Sequence, residues 1–239
     1  LKMQDDIIDV IKECRAKTVG EISGAVVGNE EIIKLLGAAK RAGVKVNGHC
    51  PSMGFRDVQQ AACAGLCDDH ECESISDLEQ RLDCGMAVLV REGTIEPNCR
   101  TLCEGMVKNH IPTDDIMFCT DDKSAEDIKE NGCIDNALRI AVKCGISPVS
   151  AIKMATLNVA RHYGVDDIIG SVAPSRKANF LLMDSLENMT VKKVYHQGRL
   201  VAENGEFLCR HEFDLTRYPE LKNTVILPRG LDSHSFEIK

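Results

Sequence analysis

The sequence predicts an α/β fold in which five strand–helix units form part of a (β/α)8 TIM barrel, strands 4–8, followed by β strands of a small sandwich domain. Two observations predict the first part: β-prone runs alternate with amphipathic helices, and glycines stand at the joins. Turn residues between apolar runs after Gly164 predict the second part. Because five units do not close an eight-stranded barrel, we expect further residues before Leu1.

Four segments carry helical periodicity. Asn29 is placed to cap the first helix, and Ser76 with Glu79 matches a capping box in the second. The last segment predicts one continuous helix that begins at Ser147 and ends at Gly164. The predicted helices cover residues 29–43, 74–82, 133–145 and 147–164.

Short β-prone runs lie between these helices. Gly43, Gly65 and Gly85 each end a helix directly before such a run. Glycine suits the left-handed position after a helix because it has no Cβ to clash. The repeated order of strand, helix and glycine predicts a parallel sheet. The predicted strands of this sheet are residues 18–22, 44–49, 66–70, 86–92 and 116–121.

The pattern changes after the last predicted helix. Gln197-Gly198 stands between two apolar runs and predicts a tight hairpin in an antiparallel sheet. We therefore expect a barrel part in residues 1–165 and a β-sandwich segment in 166–209, whereas residues 210–239 carry few signals. The predicted strands of the sandwich segment are residues 178–184, 191–201 and 206–208.

Composition excludes several classes of partner. The formal net charge is −8, whereas nucleic acid and anionic membranes bind basic faces. No apolar run approaches the roughly 20 residues of a membrane span. The chain has twelve cysteines but no secretion signal, so we expect small buried thiols and a cytoplasmic location. Spacings such as Cys63 to Cys67 and Cys99 to Cys103 do not form a zinc motif.

Ionisable residues end the five predicted parallel strands, namely Glu21, His49, His70, Glu92 and Asp121. They are separated by 21 to 29 residues, which is one strand–helix unit each. The carboxyl ends of barrel strands meet at one face, so these side chains are expected to converge. Imidazoles and carboxylates together suit a divalent metal ion.

Each residue taken alone also has an ordinary structural explanation. His49 can be a hydrogen-bonded histidine, although Gly48 before it is expected to let the backbone pass closely. Asp122 can cap the following helix, and Arg91 with Glu92 can form an ion pair. The regular spacing of the strand ends favours a shared site over these separate explanations. We interpret His110, His196, His211 and His234 as structural or surface residues, and we expect His162 near the C-terminal end of a helix, where the helix dipole favours an imidazolium.

Several motifs resemble one known family. "GEISGAV", "NGHCP", "DDHE", "VREG", "CTDDK", "ATLNVARHYG", "GSVAPSRKANFLLMD" and "VKKVYHQGRLV" are similar to segments of the adenine deaminases, a family of the metal-dependent amidohydrolase superfamily. The resemblance implies a barrel with a β-sandwich, and it implies that residues 210–239 are the truncated start of a C-terminal domain. It also implies one or two manganese or iron ions, with zinc as an alternative. It implies Glu21, His49, His70 and Asp121 as metal ligands. It further implies Asp121 and Glu71 as catalytic residues, with Arg91 and Glu92 in the substrate site.

The implied reaction is hydrolysis of adenine to hypoxanthine and ammonia in purine salvage, by a homo-oligomer in the full-length form. The first-strand His-x-His pair of the family is absent from this sequence. Two alternatives therefore stay open. One is an amidohydrolase acting on another cyclic amide, such as a dihydroorotase or hydantoinase. The other is an inactive fragment that needs a missing N-terminal half.

Overall fold

The computed structural model describes residues 2–209, 215–219, 224, 228 and 230–236. Two sheets are present in this part of the chain. The helices are α1 (Lys2–Glu13), α2 (Glu30–Ala42), α3 (Phe55–Ala64), α4 (Ile75–Asp83), α5 (Cys99–Asn109), α6 (Ala125–Asn131), α7 (Ile134–Lys143), α8 (Pro148–Ala155) and α9 (Leu157–His162). The strands are β1 (Thr18–Ser23), β2 (Lys45–His49), β3 (Asp68–Asp69), β4 (Ala87–Arg91), β5 (Ile116–Cys119), β6 (Phe180–Met183), β7 (Val191–His196), β8 (Arg199–Glu203) and β9 (Glu206–Phe207).

The first sheet holds five strands in the order β1-β2-β3-β4-β5, and every neighbouring pair is parallel. This confirms the α/β class with a parallel sheet. Strand β3 is shorter than the predicted run 66–70, because Asp68 alone pairs with both β2 and β4, and Asp69 pairs only with Val88 of β4. Because the strands are parallel, all five carboxyl ends lie along one edge of the sheet. Because the chain order equals the sheet order, the ends of consecutive strands are neighbours along that edge.

Two hydrophobic clusters hold helices against this sheet. The larger cluster packs α4, α5, α7 and α8 against β4 and β5, with Leu78, Leu102, Ile116 and Met154 all fully buried. The smaller one packs α2 and α3 against β2 and includes Val58. Burying each such side chain stabilises the fold by about 1.5–3 kcal/mol relative to exposure. The helices therefore fix the positions of the strand ends.

The helix boundaries follow the predicted signals in part. Gly43, Gly65 and Gly85 have φ angles of 70°, 115° and 73°, which confirms them as left-handed positions after helices. Asn29 accepts hydrogen bonds from the backbone N–H of Glu31 and Ile32, as predicted for a cap.

Two predictions about helix boundaries are wrong. The capping box of α4 uses Ser74 and Asp77 instead of Ser76 and Glu79, because the helix begins two residues earlier. The predicted continuous helix 147–164 is broken at Thr156, whose φ and ψ are −136° and −81°. The Thr156 hydroxyl donates to the Ile152 carbonyl at 2.6 Å, and this end of α8 separates it from α9.

The second sheet is antiparallel and has the order β6-β7-β8-β9. Gln197 and Gly198 form the predicted hairpin turn with φ angles of 50° and 78°. Phe180 and Tyr195 stack across β6 and β7 with ring centroids 4.5 Å apart. The further domain predicted for 210–239 falls mostly outside the described residues.

The twelve cysteines carry free thiols, and they range from buried to exposed. Burial raises the pKa of Cys50, Cys67 and Cys119 to about 12, so these thiols are protonated near neutral pH. Among the residues the structure describes, no helix has both the length and the apolar content needed to cross a membrane.

Candidate metal centre

Side chains from the ends of five parallel strands meet at the carboxyl edge of the first sheet. Glu21 lies within β1, His49 ends β2, and His70 follows β3 directly. Arg91 ends β4, and Asp121 lies two residues beyond β5. We call the group formed by Glu21, His49, His70, Glu71, Arg91 and Asp121 the strand-end cluster. Of the five strand-end residues expected to converge, the structure brings together Glu21, His49, His70 and Asp121, whereas Glu92 lies outside the cluster.

Glu21 connects the two histidines. Its Oε1 lies 3.3 Å from His49 Nδ1, and its Oε2 lies 3.7 Å from His70 Nε2. The two imidazole rings are 5.4 Å apart between centroids. Donor atoms held at bond lengths of about 2.0–2.2 Å around one ion stand about 3–3.5 Å from each other. The three side chains thus fit a shared ion after small adjustments, and their donor atoms all lie within 4.8 Å.

Glu71 occupies the centre of the cluster. Its Oε1 is 3.4 Å from His49 Nδ1 and 3.2 Å from His70 Nε2. A second group of three potential ligands consists of His70, Glu71 and Asp121. His70 is common to both groups, so the cluster offers two neighbouring positions for a cation. The resemblance implied a catalytic role for Glu71, and the geometry adds the chemistry of a metal ligand.

Arg91 is the buried cation of the cluster, with 3% of its side chain exposed. Its Nη1 donates to Glu71 Oε1 at 2.5 Å and to Asp121 Oδ2 at 2.9 Å. Its Nη2 contacts Glu71 Oε2 at 3.4 Å and also pairs with Glu96. One guanidinium therefore holds three carboxylates, which fixes Glu71 and Asp121 side by side.

The charge balance of the cluster favours a further cation. The cluster and its loop bring together four carboxylates and one guanidinium: Arg91 pairs with Glu71, Glu96 and Asp121, and Glu21 contacts the two histidines. The Nδ1 atom of His49 is buried and lacks a hydrogen-bond partner of acceptable geometry among the described residues, although two carboxylate oxygens lie near it. A divalent ion would satisfy this nitrogen and reduce the repulsion between the carboxylates. The donor set therefore fits the expected metal.

Two features behind the cluster hold His49 and Glu71 in place. A Cβ on Gly48 would collide with the carbonyl oxygen of Asp68, so the close approach of β2 and β3 requires glycine there. Asp69 accepts hydrogen bonds from the backbone N–H of Cys50 at 3.0 Å and of Glu71 at 3.2 Å.

The buried side chain of Arg81 completes this support. Its Nε donates to Asp69 Oδ2 at 2.9 Å, and its Nη2 donates to the Cys50 carbonyl at 2.6 Å. Asp69 and Arg81 are 0% and 1% exposed, so the pair is isolated from solvent. The second aspartate of the "DDHE" motif is thus a buried brace between β2, β3 and α4.

Glu92 lies at the end of β4, but its contacts lead away from the cluster. Asn136 of α7 donates to its Oε1 at 3.5 Å, and its Oε2 is buried without a partner among the described residues. Burial raises the pKa of the Glu92 carboxyl above its ordinary value, although Lys123 and the Cys99 backbone N–H counteract the shift. Its assignment to the substrate site stays a prediction.

The residues after β4 form a loop that the sequence did not identify as part of the site. Glu96 in this loop pairs with Arg91. Asp122 was expected to cap α6, but Ser124 is the cap, and Asp122 Oδ2 instead accepts from the Ile95 backbone N–H at 2.7 Å. Ile95 is 80% exposed next to the cluster. The two aspartates in "CTDDK" therefore have different contacts: Asp121 pairs with Arg91, and Asp122 binds the backbone of the loop after β4.

The chain is similar in sequence to known proteins of one family. Residues 94–201 match the model of the amidohydrolase family. The chain is 38% identical over 217 residues to an adenine deaminase of Nitratidesulfovibrio vulgaris, covering 90% of this chain and 36% of that protein. It is 34% identical to an adenine deaminase of Kosmotoga olearia, covering 97% of this chain and 41% of the relative. These matches confirm the predicted resemblance. The chain spans a little over a third of the length of such relatives.

Solved structures resemble the chain at the level of the fold. N-acetylglucosamine-6-phosphate deacetylase from Pasteurella multocida superposes with a TM-score of 0.65 at 14% identity, covering 84% of this chain and 60% of that structure. Molinate hydrolase superposes with a TM-score of 0.58 at 20% identity, covering 94% of this chain and 59% of the other. An amidohydrolase structure superposes with a TM-score of 0.58 at 18% identity, covering 85% and 59% respectively.

Proposed function

The chain is a relative of the adenine deaminases within the amidohydrolase family, and from this relationship we propose that it carries the metal-binding half of an adenine deaminase site. The proposed reaction adds water to C6 of adenine, breaks the C6–N bond of the exocyclic amine, and yields hypoxanthine and ammonia. The observation that carries the proposal is the convergence of two histidines and three carboxylates around Arg91. The substrate is taken from the names of the relatives.

We propose Glu21, His49, His70 and Asp121 as the residues that hold a divalent cation. Their mixture of imidazole and carboxylate donors suits manganese, iron or zinc. Such an ion lowers the pKa of a coordinated water from about 15.7 to roughly 7, so that a nucleophile is available at neutral pH.

The protein side chains then manage the protons. Asp121 is proposed to accept the proton of the attacking water, and Glu71 to return a proton to the ring or to the leaving amine. Arg91 contacts both carboxylates, at 2.9 Å and 2.5 Å, which keeps donor and acceptor on the same side of the substrate. General acid–base catalysis of this type contributes about 10²–10⁴-fold to the rate. Arg91 and Glu92 are proposed to line the substrate site.

The domain assignment is part of the same proposal. The parallel sheet would be strands 4–8 of a (β/α)8 barrel in residues 1–165, and the antiparallel sheet would belong to a β-sandwich in 166–209. The structure has a parallel sheet followed along the chain by a separate antiparallel sheet, and this order supports the domain assignment. We further propose that the full-length protein is a homo-oligomer that acts on adenine. The acidic net charge supports a partner other than nucleic acid, and the twelve free thiols support a location in the reducing cytoplasm.

The test measures ammonia released from adenine by the chain loaded with manganese, alone and mixed with the N-terminal portion of the Nitratidesulfovibrio vulgaris relative. We expect ammonia from adenine, and we expect Asp121→Asn to abolish it while the far-ultraviolet circular dichroism stays unchanged. Full turnover by the Asp121→Asn variant would remove Asp121 from the mechanism.

The two alternatives give different results in the same assay. Hydrolysis of dihydroorotate or a hydantoin, without ammonia release from adenine, would indicate an amidohydrolase that acts on another cyclic amide. Metal binding without turnover of any of these substrates, in both forms of the assay, would indicate an inactive chain. The glutamate at the β1 position favours the deaminase, because the cyclic-amide enzymes usually carry a modified lysine there.

A further inference from the structure

A second group of metal-ligating side chains lies deeper in the parallel sheet, separate from the strand-end cluster. It consists of Cys67 and Asp68 from the start of β3 and His162 from the end of α9, and we call it the thiol cluster. Asp68 and the His162 side chain are 1% and 9% exposed. The sequence prediction placed His162 near the end of a helix and indicated no contact with Asp68, because no local pattern connects residues 94 positions apart.

The geometry points to a zinc-type site. His162 Nε2 lies 2.6 Å from Asp68 Oδ2 and 3.8 Å from Cys67 Sγ, and Cys67 Sγ lies 3.6 Å from Asp68 Oδ2. Zinc bonds of about 2.3 Å to sulfur and 2.0–2.1 Å to nitrogen or oxygen place tetrahedral donors about 3.3–3.6 Å apart. Two of the three separations are already near this range. The third must open when the metal replaces the proton shared by Asp68 and His162.

A catalytic triad is a poorer explanation of the same residues. In a triad the thiol and the carboxylate contact opposite nitrogens of the imidazole, whereas here both approach Nε2. The Cys67 thiol donates to the Val46 carbonyl at 3.1 Å and faces Asp68 Oδ2, so a cation that displaces the thiol proton would bring the three ligand atoms to one point. A thiolate and a carboxylate would also neutralise the charge of a divalent ion and leave the imidazole neutral, which reduces the cost of burial.

The surroundings of the thiol cluster hold the proposed ligands in place. Asn47 Nδ2 donates to Asp68 Oδ2 at 2.7 Å and to the Tyr163 hydroxyl at 2.8 Å. The Gly48 backbone N–H donates to Asp68 Oδ1 at 3.2 Å. Such outer contacts orient ligands in metal sites, and removing them typically weakens binding by about 10–100-fold.

A cavity at the N-terminal side of the strands reaches His162 of the thiol cluster. A cavity of about 330 Å³ is lined by His162 together with the charged residues Lys45, Asp114, Asp115 and Arg161. Solvent in this cavity can complete the coordination of an ion held by three protein ligands. We therefore propose that Cys67, Asp68 and His162 bind a zinc-type divalent cation, independently of the strand-end cluster.

The experiment titrates the reduced 239-residue chain with Co²⁺ and records absorption in the near ultraviolet, where cobalt–thiolate charge transfer appears. We expect a band that saturates at one ion per chain and disappears in Cys67→Ser. Cys103→Ser is the matched control, because Cys103 is also buried and lies 3.9 Å from the thiol of Cys99. His49→Ala should keep the band, since the strand-end cluster contains no sulfur.

Three results would overturn the proposal: no band in the parent chain, a band that persists in Cys67→Ser, or a band lost in Cys103→Ser alone. If Cys67→Ser does not fold, His162→Gln decides the question, because it keeps the thiol. That variant should bind Co²⁺ at least about tenfold more weakly, and unchanged affinity would exclude His162 as a ligand. Since the readout is spectroscopic, failure here leaves the deaminase proposal untouched.

Discussion

Gly48 gives the sharpest link between backbone packing and the strand-end cluster. It lies in β2 directly before His49, and the structure leaves no room for a side chain there. In Gly48→Ala the new Cβ would overlap the carbonyl oxygen of Asp68 and stand 3.2 Å from Leu66 Cδ2. The carbonyl belongs to the backbone of β3, so relief requires the two strands to move apart.

The expected loss of stability has two parts. Forcing an extra methyl group into a packed interior costs about 1–3 kcal/mol. Separating β2 from β3 also strains the hydrogen bond from the Gly48 N–H to Asp68 Oδ1, which contributes about 0.5–1.5 kcal/mol. Replacing glycine restricts the unfolded chain and returns about 0.4–1 kcal/mol. We therefore expect a net loss of about 1–3 kcal/mol in the free energy of unfolding.

Urea denaturation of Gly48→Ala beside Gly20→Ala measures this loss. Gly20 is the matched control because it also lies in a strand, β1, and a Cβ there meets no atom within 4 Å. Gly20→Ala should stay within about 0.5 kcal/mol of the parent chain or gain slightly. Equal stability of the two variants would refute the claim that β2 and β3 approach too closely for a side chain. Manganese affinity should also fall in Gly48→Ala alone, because the displaced strand carries His49.

Two further variants probe buried charges. Asp69→Asn leaves Arg81 charged and unpaired in the interior, so the free energy of unfolding should fall by about 3–5 kcal/mol in urea denaturation. Glu104→Gln breaks the exposed pair with Arg100 and should lower it by less than about 1 kcal/mol. Equal losses in the two variants would contradict the argument from burial. Glu92 has a raised pKa, so the folded state holds its proton more tightly than the unfolded state, and stability falls as pH rises above the ordinary value of 4.5. Glu92→Gln should therefore be more stable than the parent chain at pH 7 and equal to it below pH 4.5, and equal stabilities at both pH values would contradict the shift.

The sequence predicted features that depend on local pattern. Strand ends could be located because glycines with positive φ follow helices, as at Gly43 and Gly65. In a parallel sheet whose strand order equals the chain order, the residues at the carboxyl ends of consecutive strands lie next to each other. Glu21, His49 and His70 could therefore be assigned to one site before any coordinate was known.

Other features depend on contacts that no local pattern encodes. His162 contacts Asp68, which lies 94 residues earlier in the chain. Arg81 of α4 donates to Asp69 and to the Cys50 carbonyl. The start of α4 was ambiguous because both Ser74 and Ser76 precede an acid at the spacing of a capping box. Packing against the neighbouring elements selected Ser74, and propensity alone could not.

The loop after β4 shows the same limitation. Glu96 reaches Arg91 because Asp122 holds the backbone of Ile95, and this arrangement joins two segments 27 residues apart. In the sequence, Asp122 has the ordinary appearance of a helix cap. Only the tertiary contact distinguishes a cap from a tether of the loop.

His70 tests the central claim most directly, because it belongs to both groups of potential ligands in the strand-end cluster. The measurement is the number of Mn²⁺ ions bound per chain and their affinity, by titration of the parent chain, His70→Ala and His196→Ala. Manganese prefers nitrogen and oxygen donors over thiolate, so it reports on this cluster. The account predicts measurable binding by the parent chain and by His196→Ala, whose exposed histidine lies in β7, and loss of that binding in His70→Ala. Equal manganese binding by all three proteins would contradict a metal centre at the strand ends.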